Sequence, residues 1–326
     1  MRFKWNMKIS PVLRQSPLDL NQDLAEAVIA QASTVAMCRC CGSQHTRSLG
    51  KLPDARIFAG TQLNEPLPGG VLYRCMDCHF VFRDPILSKS AYDELYRGGN
   101  ATTWEEENRL DQALVRETLS AFLKHGSVLD IGCGAGNLLM PLTQRYATHG
   151  VEINREAASI ADSRGVRIIA HDLDDIEQSG QTFDAVIACD VIEHTVNPLD
   201  FLRRMIAITK PQGYVIITTG NPDAWSWRLA GSRFWYCYLP EHISFVSPRW
   251  FSHHARNLNA RVMQSVPFTY SPQFSTPGRE LRLGLMALFR ISPDLYYRLL
   301  PEIKRNNIPV GRGITRDHFL VTLQKN

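Results

Sequence analysis

The chain has 326 residues, with 36 Lys and Arg against 32 Asp and Glu, and a net charge of +4. Apolar residues make up 44% and charged residues 21%; that excludes wholesale disorder, and so small a charge excess gives no ground for nucleic-acid binding. No run reaches the roughly 18 apolar residues of a membrane helix, no cleavable leader follows the basic start, and the length suits two domains or one with an appendage.

Residues 1–32 read as an extension, with Leu20, Leu24 and Val28 at helical spacing. Residues 33–87 read as a small β-rich module. Two knuckles, Cys38-Arg39-Cys40-Cys41-Gly42 and Cys75-Met76-Asp77-Cys78-His79, bracket a loop rich in Pro and Gly, and one closing strand is expected from Tyr73 into Phe82. Thiolates of Cys38, Cys41, Cys75 and Cys78 at this spacing suit tetrahedral zinc, in a structural role because four thiolates leave no open position. Cys40 is then a spare thiol, and His79 stands where a glycine would be expected. Five of the eight cysteines lie in these knuckles, which fits a reducing cytosol better than a secreted disulfide scaffold.

Residues 88–126 read as a helical linker. Ser88 can cap a helix ended by Gly98-Gly99, and a longer helix from about residue 104 carries Leu110, Leu114, Leu119 and Leu123 near one face. From residue 127 strands and helices alternate. Strands are expected at 128–131, 149–152, 166–170, 183–188 and 214–218, with helices at 137–146, 155–164 and 198–209 between them. A final strand is expected at 317–323. Such alternation predicts an α/β, Rossmann-like parallel sheet over residues 127–326, with a helical insertion at about 276–303.

The stretch Asp130-Ile131-Gly132-Cys133-Gly134-Ala135-Gly136-Asn137 runs a strand into three glycines spaced two apart. Such a turn lets backbone approach a ligand closely at the carboxyl edge of a sheet. A dinucleotide fingerprint would need glycine at position 137, so Asn137 argues against an NAD oxidoreductase. Glu152 ends the second strand, Asp172-Leu173 follows the third, and Cys189-Asp190 follows the fourth.

In this order over residues 127–219, these motifs resemble the class I S-adenosylmethionine-dependent methyltransferases. The resemblance implies that Asp130, Gly132, Cys133, Gly134, Gly136 and Asn137 border the methionine end of the cofactor. It places Glu152 and Ile153 at the ribose, Asp172 and Leu173 at the adenine, and Cys189 and Asp190 at the sulfonium. The zinc module, helical linker and core together resemble the sugar C-methyltransferases and their relatives from polysaccharide and deoxysugar pathways. That implies a sugar, a sugar nucleotide or a related biosynthetic intermediate as acceptor, with transfer to oxygen or nitrogen open beside carbon.

Six aromatics, of 30 in the chain, fall between Trp225 and Tyr238, where they are expected to shape an acceptor pocket or a packing lid. Glu241-His242 resembles a pair that relatives place near the acceptor, with a tyrosine just before it. His242 is therefore the candidate base, Glu241 its support or a substrate ligand, and Tyr238 the candidate tyrosine. Glu193-His194 resembles another family pair and is expected to cap a helix or line the cleft, and His253-His254 to be solvated. Two other classes stand beside this reading: an RNA methyltransferase docking through the zinc module, and a non-catalytic cofactor-binding scaffold. The first lacks an Asn/Asp-Pro-Pro-aromatic run and a basic cluster in the module.

Overall fold

The computed structural model describes residues 36–100, 109–269, 276–302 and 316–326. The predicted extension at 1–32, the start of the linker helix at 104 and the last residue of the insertion at 303 lie outside them. The module opens with Thr46–Lys51 (β1), Ala55–Phe58 (β2) and Thr61–Leu67 (β3), followed by Val71–Cys75 (β4) and Val81–Asp84 (β5). The one closing strand expected here is two: β4 and β5 pair antiparallel around the second knuckle, because His79 turns left-handed at φ 65° and reverses the chain. β2 and β3 form a separate hairpin.

Lys89–Arg97 (α1) starts at Ser88, whose hydroxyl accepts from the Ala91 amide, and stops at Gly98. Leu110–Phe122 (α2) packs Val115 and Leu119 inward. The core then runs Ser127–Ile131 (β6), Ala147–Val151 (β7), Arg155–Ser163 (α3), Arg167–Ala170 (β8), Leu173–Ser179 (α4), Phe183–Cys189 (β9), Pro198–Ala207 (α5) and Thr209–Gly220 (β10). The helix expected at 137–146 does not form. Only a single turn of 3-10 helix at Met140–Leu142 lies there, and Pro141 stands inside that short turn.

Beyond β10 come Trp225–Ala230 (α6), Ser244–Phe245 (β11), Pro248–His254 (α7), Ala260–Phe268 (β12), Thr276–Ile291 (α8), Pro293–Leu299 (α9) and His318–Lys325 (β13). The large sheet has seven strands in the order β12-β13-β10-β9-β6-β7-β8, and β13 alone runs against its neighbours. β12 was not among the strands expected from sequence; its exposed residues alternate with partly buried ones on an edge. The chain order reverses between β6 and β9, so ligand-bearing loops gather at the carboxyl ends of these strands.

The module is not a separate bead. β11, from the far side of the aromatic loop, joins it as the fourth strand of a sheet ordered β1-β4-β5-β11. Phe80, Phe82, Cys75 and Cys78 share one core with Leu129, Trp250 and Phe251. His254, expected in solvent, is buried against Trp250 at a ring distance of 4.8 Å, and burial pushes its pKa down to about 4. No described helix is long and apolar enough to cross a membrane.

Candidate active site

The glycine turn leaves β6 through three left-handed residues, Gly132 (φ 72°), Gly134 (φ 51°) and Gly136 (φ 80°). The amides of Gly132 and Cys133 donate to the Val151 carbonyl at 2.8 and 3.2 Å, which holds the turn against β7. A Cβ built on Gly134 would meet no atom within 4 Å, so bare main chain faces open space there. Asp130 is buried beneath the turn, and its Oδ1 has no hydrogen-bond partner. Burial, with Glu152 nearby, holds its carboxyl well above the usual range.

Glu152, at the end of β7, is buried and accepts the Gly134 amide at 2.8 Å and the Asn154 amide at 2.8 Å. Beside it, Arg97, Gly98, Gly99, Ile153, Asn154 and Arg155 line a cavity of about 240 Å³ together with Glu156. Asp172 caps α4 through the Asp174 amide and lies 3.4 Å from the Lys89 amine, and Leu173 is buried. Asn137 accepts from Arg164 at 2.7 Å. The residues named from the glycine turn, the end of β7 and the start of α4 thus occupy one edge of the sheet, in motif order.

A second group of polar side chains lies at the ends of β9 and β10. Asp190 (φ 53°) follows Cys189, and its Oδ2 accepts from Arg109 at 2.5 Å, while Arg109 also grips Asp111 at 2.6 and 3.0 Å. Burial raises the Asp190 carboxyl despite this guanidinium. Glu193 is fully buried and accepts from the Tyr236 hydroxyl and, at 2.9 Å, from Thr219. Burial raises its carboxyl too. The Tyr96 hydroxyl lies 2.7 Å from His194 Nδ1. His242 Nδ1 lies 2.9 Å from the Tyr236 carbonyl oxygen. A carbonyl only accepts, so that nitrogen carries the proton and Nε2 keeps the lone pair.

Burial and the neighbouring His194 hold the His242 imidazole well below its ordinary pKa, hence neutral. Its ring is 4.9 Å from that of His194, and the ligand atoms of Glu193, His194 and His242 all lie within 4.8 Å of one another. Such a set can relay a proton or hold a cation.

Two expectations change here, for Glu241 and Tyr238, and two open ones are decided. Glu241 does not support His242: its carboxylate accepts the Ala59 amide in the turn between β2 and β3, pinning the loop to the module. The tyrosine that enters the cluster is Tyr236; Tyr238 sits by Arg233 and Tyr297, away from it. The aromatic loop is mostly core, since Trp227 stacks on Phe234 at 4.7 Å and meets Phe245 at 5.1 Å. Only Trp225 among its six aromatics is exposed. Glu193-His194, expected as a cap or cleft lining, stands at the centre of the cluster.

Sequence reasoning missed Arg109, Asp111, Tyr96, Thr219, Tyr236 and the buried Asp317-His318 pair. His318 Nδ1 is 3.1 Å from Asp317, and its ring is 4.9 Å from Tyr236. The signal for that pair was two adjacent polar residues just before the apolar run Phe319-Leu320-Val321.

In the module, Cys38 Sγ is 3.5 Å from Cys78 Sγ and Cys41 Sγ is 3.6 Å from Cys75 Sγ; all four sulfurs lie within 4.8 Å of one another. A disulfide would need about 2.05 Å. A tetrahedron with metal–sulfur bonds of about 2.3 Å has sulfur–sulfur edges of about 3.8 Å, which is what this cluster approaches. Cys40 lies outside the four.

Strand order and glycine turn give this chain a Rossmann-like fold of the kind class I S-adenosylmethionine-dependent methyltransferases have. Residues 104–265 match the family described as Methyltransferase domain. The chain is 33% identical over 157 residues to a ubiquinone biosynthesis O-methyltransferase of Rhodopseudomonas palustris (strain BisB18), covering 44% of this chain and 62% of that protein. It is 29% identical over 159 residues to the mitochondrial enzyme of the same name from Arabidopsis thaliana, covering 44% and 49%. The chain thus spans about half to three-fifths of the length of these relatives. Among solved structures, a SAM-dependent methyltransferase from Archaeoglobus fulgidus aligns with a TM-score of 0.43 at 19% identity, over 73% of this chain and all of that one.

Proposed function

We propose that this chain transfers the methyl group of S-adenosylmethionine to a hydroxyl oxygen of a small-molecule acceptor. One observation carries the reading: a neutral imidazole with its Nε2 lone pair, at His242, sits in a buried polar cluster at the sheet edge that also holds the open glycine turn. The relatives' name, O-methyltransferase, supports oxygen as the target. A sugar or sugar-nucleotide acceptor is the narrower form of the reading and rests on the module's resemblance alone.

The residues fit the cofactor. Asp130, buried with an unpartnered oxygen, would take the methionine ammonium, and the Gly132–Gly136 turn the chain beside it. Glu152 would exchange the Gly134 amide for ribose hydroxyls, with Ile153 beside it and Asp172-Leu173 at the adenine edge. When bound, the cofactor supplies a sulfonium methyl: the acceptor oxygen forms the new C–O bond, and the electrons of the broken S–C bond stay on sulfur. His242 Nε2 takes the hydroxyl proton. Glu193 and Tyr236 fix the loop that presents His242, and burial keeps water from the reacting oxygen. Cys38, Cys41, Cys75 and Cys78 would hold a structural zinc.

The test is a panel of phenolic, sugar and sugar-nucleotide acceptors with isotopically methyl-labelled cofactor. Label in a product ether supports the reading. Cofactor that binds tightly yet labels only carbon or nitrogen acceptors would overturn the choice of oxygen.

A further inference from the structure

Arg39 stands inside the first cysteine knuckle, between Cys38 and Cys41, yet its side chain reaches out of the module. Nη1 donates to the Arg83 carbonyl at 2.8 Å, Nη2 to the Ile243 carbonyl at 3.0 Å and Nε to the Val196 carbonyl at 3.0 Å. Phe80 and Phe82 lie beneath the guanidinium at 5.7 and 5.2 Å. Among the described residues Arg39 has no ion pair. Asp84 attracts the guanidinium through space without pairing with it, and three carbonyl dipoles aimed along its fork offset the cost of its partial burial.

The three carbonyls are not arbitrary. Val196 is two residues past His194, and Ile243 directly follows His242. The two segments are already joined, since the Ile243 amide donates to the Glu193 carbonyl at 2.9 Å and the Arg83 amide to the Ile243 carbonyl at 3.0 Å. One cation therefore ties together both histidine-bearing segments and β5. Its own backbone is fixed by the knuckle, where the Cys38 amide donates to Ser43 at 2.9 Å and the Gly42 amide to Cys38 at 2.8 Å.

We propose that Arg39 is a positioning residue through which the four-cysteine site sets the placement of His194 and His242. A metal on the four thiolates holds the knuckle, the knuckle holds the guanidinium, and the guanidinium holds the two carbonyls. Loss of the metal frees the knuckle, and the histidine-bearing segments lose their shared anchor. Lysine cannot substitute, because a point charge cannot address three divergent carbonyls at once. The idea rests on reading the histidine cluster as the transfer site.

The experiment compares the zinc-loaded full chain, the chelator-treated chain, Arg39→Gln and Arg39→Lys. Metal content, amide hydrogen exchange at residues 241–246, imidazole proton shifts and cofactor affinity are measured on each, with turnover where an acceptor is known. Arg39→Gln should keep its zinc and its cofactor affinity. Exchange at 241–246 should rise, the His194 and His242 shifts should move, and kcat should fall roughly 10- to 100-fold with little change in cofactor KM. Arg39→Lys should show the same changes, and chelation should reproduce the exchange pattern while β6 and β9 stay protected.

Unchanged exchange and imidazole shifts in a zinc-loaded Arg39 variant would overturn the proposal. Should Arg39→Gln fail to fold, Arg39→Lys and chelated wild type decide the matter by the same readouts. If no acceptor is ever methylated, exchange and shifts still decide it; if methylation is robust and insensitive to Arg39, this proposal fails while the functional reading stands.

Discussion

The Glu152 carboxylate and the Gly134 amide meet at 2.8 Å across the crevice between β6 and β7. In this arrangement the carboxylate proposed for the ribose serves as the acceptor for the turn that would carry the methionine end. On that proposal cofactor and glycine turn would share one carboxylate, and binding would redistribute its hydrogen bonds.

Glu152→Ala should weaken S-adenosylmethionine more than tenfold by calorimetry, the loss of a charged acceptor to two hydroxyls being worth roughly 1.5–3 kcal/mol per bond. It should also lower the urea midpoint, because the Gly134 and Asn154 amides lose their partner. Unchanged affinity with a lowered midpoint would leave Glu152 a purely structural role.

Asp130 gives a pH signature. Its carboxyl titrates well above the usual carboxylate range in the free protein because it is buried next to Glu152. An ammonium placed against it favours the ionised form and lowers that pKa, so binding expels a proton. Affinity should therefore rise with pH until the free carboxyl is already ionised, then level off. Calorimetry in buffers of different ionisation enthalpy should show net proton release, and Asp130→Asn should abolish it.

His242→Asn should remove turnover while cofactor affinity stays within about twofold, a difference under roughly 0.5 kcal/mol. Because the imidazole is held well below its ordinary pKa, it is already the free base at neutral pH. Its protonation can only depress the rate on the acid side, so the wild-type pH–rate profile should show no limb from this group at or above pH 6.5. Retained turnover would reassign the base, with the buried His318 beside Asp317 the next to examine.

Metal analysis of the full chain should give about one zinc per chain, the stoichiometry of a four-thiolate site. Cys41→Ser and Cys75→Ser should each lose it, and Cys40→Ser should not, since Cys40 lies outside the cluster. Thermal melts of the two metal-free variants should drop sharply, because the module shares its core with the large sheet. Metal-free protein with a wild-type melt would end the zinc assignment.

Much of the fold was legible because its signals are local. The alternation of β6 to β10 with helices follows from apolar runs and capping residues such as Asn154 and Asn197. Exceptions have local causes too: Pro141 stands within the helix expected after the glycine turn, and edge strand β12 puts Met263 on its exposed face and Gln264 on its inner one, which blurs the apolar alternation. The site divides in the same way. Gly132, Gly134, Gly136, Glu152 and Asp190 follow strand ends, so chain order alone places them at one edge. Glu241, Tyr238 and His254 were assigned by neighbourhood in sequence, and each is decided by packing against an element far along the chain.

The sequence by itself determined the strand-and-turn grammar, the carboxylates at the strand ends and the four thiols, because backbone torsion, side-chain period and ligand spacing act over a few residues. Only the tertiary structure decided that Tyr236 rather than Tyr238 meets Glu193, that Glu241 anchors Ala59, and that Arg39 grips Ile243 across 204 residues of chain. Those pairings exist only once β11 has closed onto the module's sheet, and a contact made by closing a long loop leaves no periodic mark in the residues that make it.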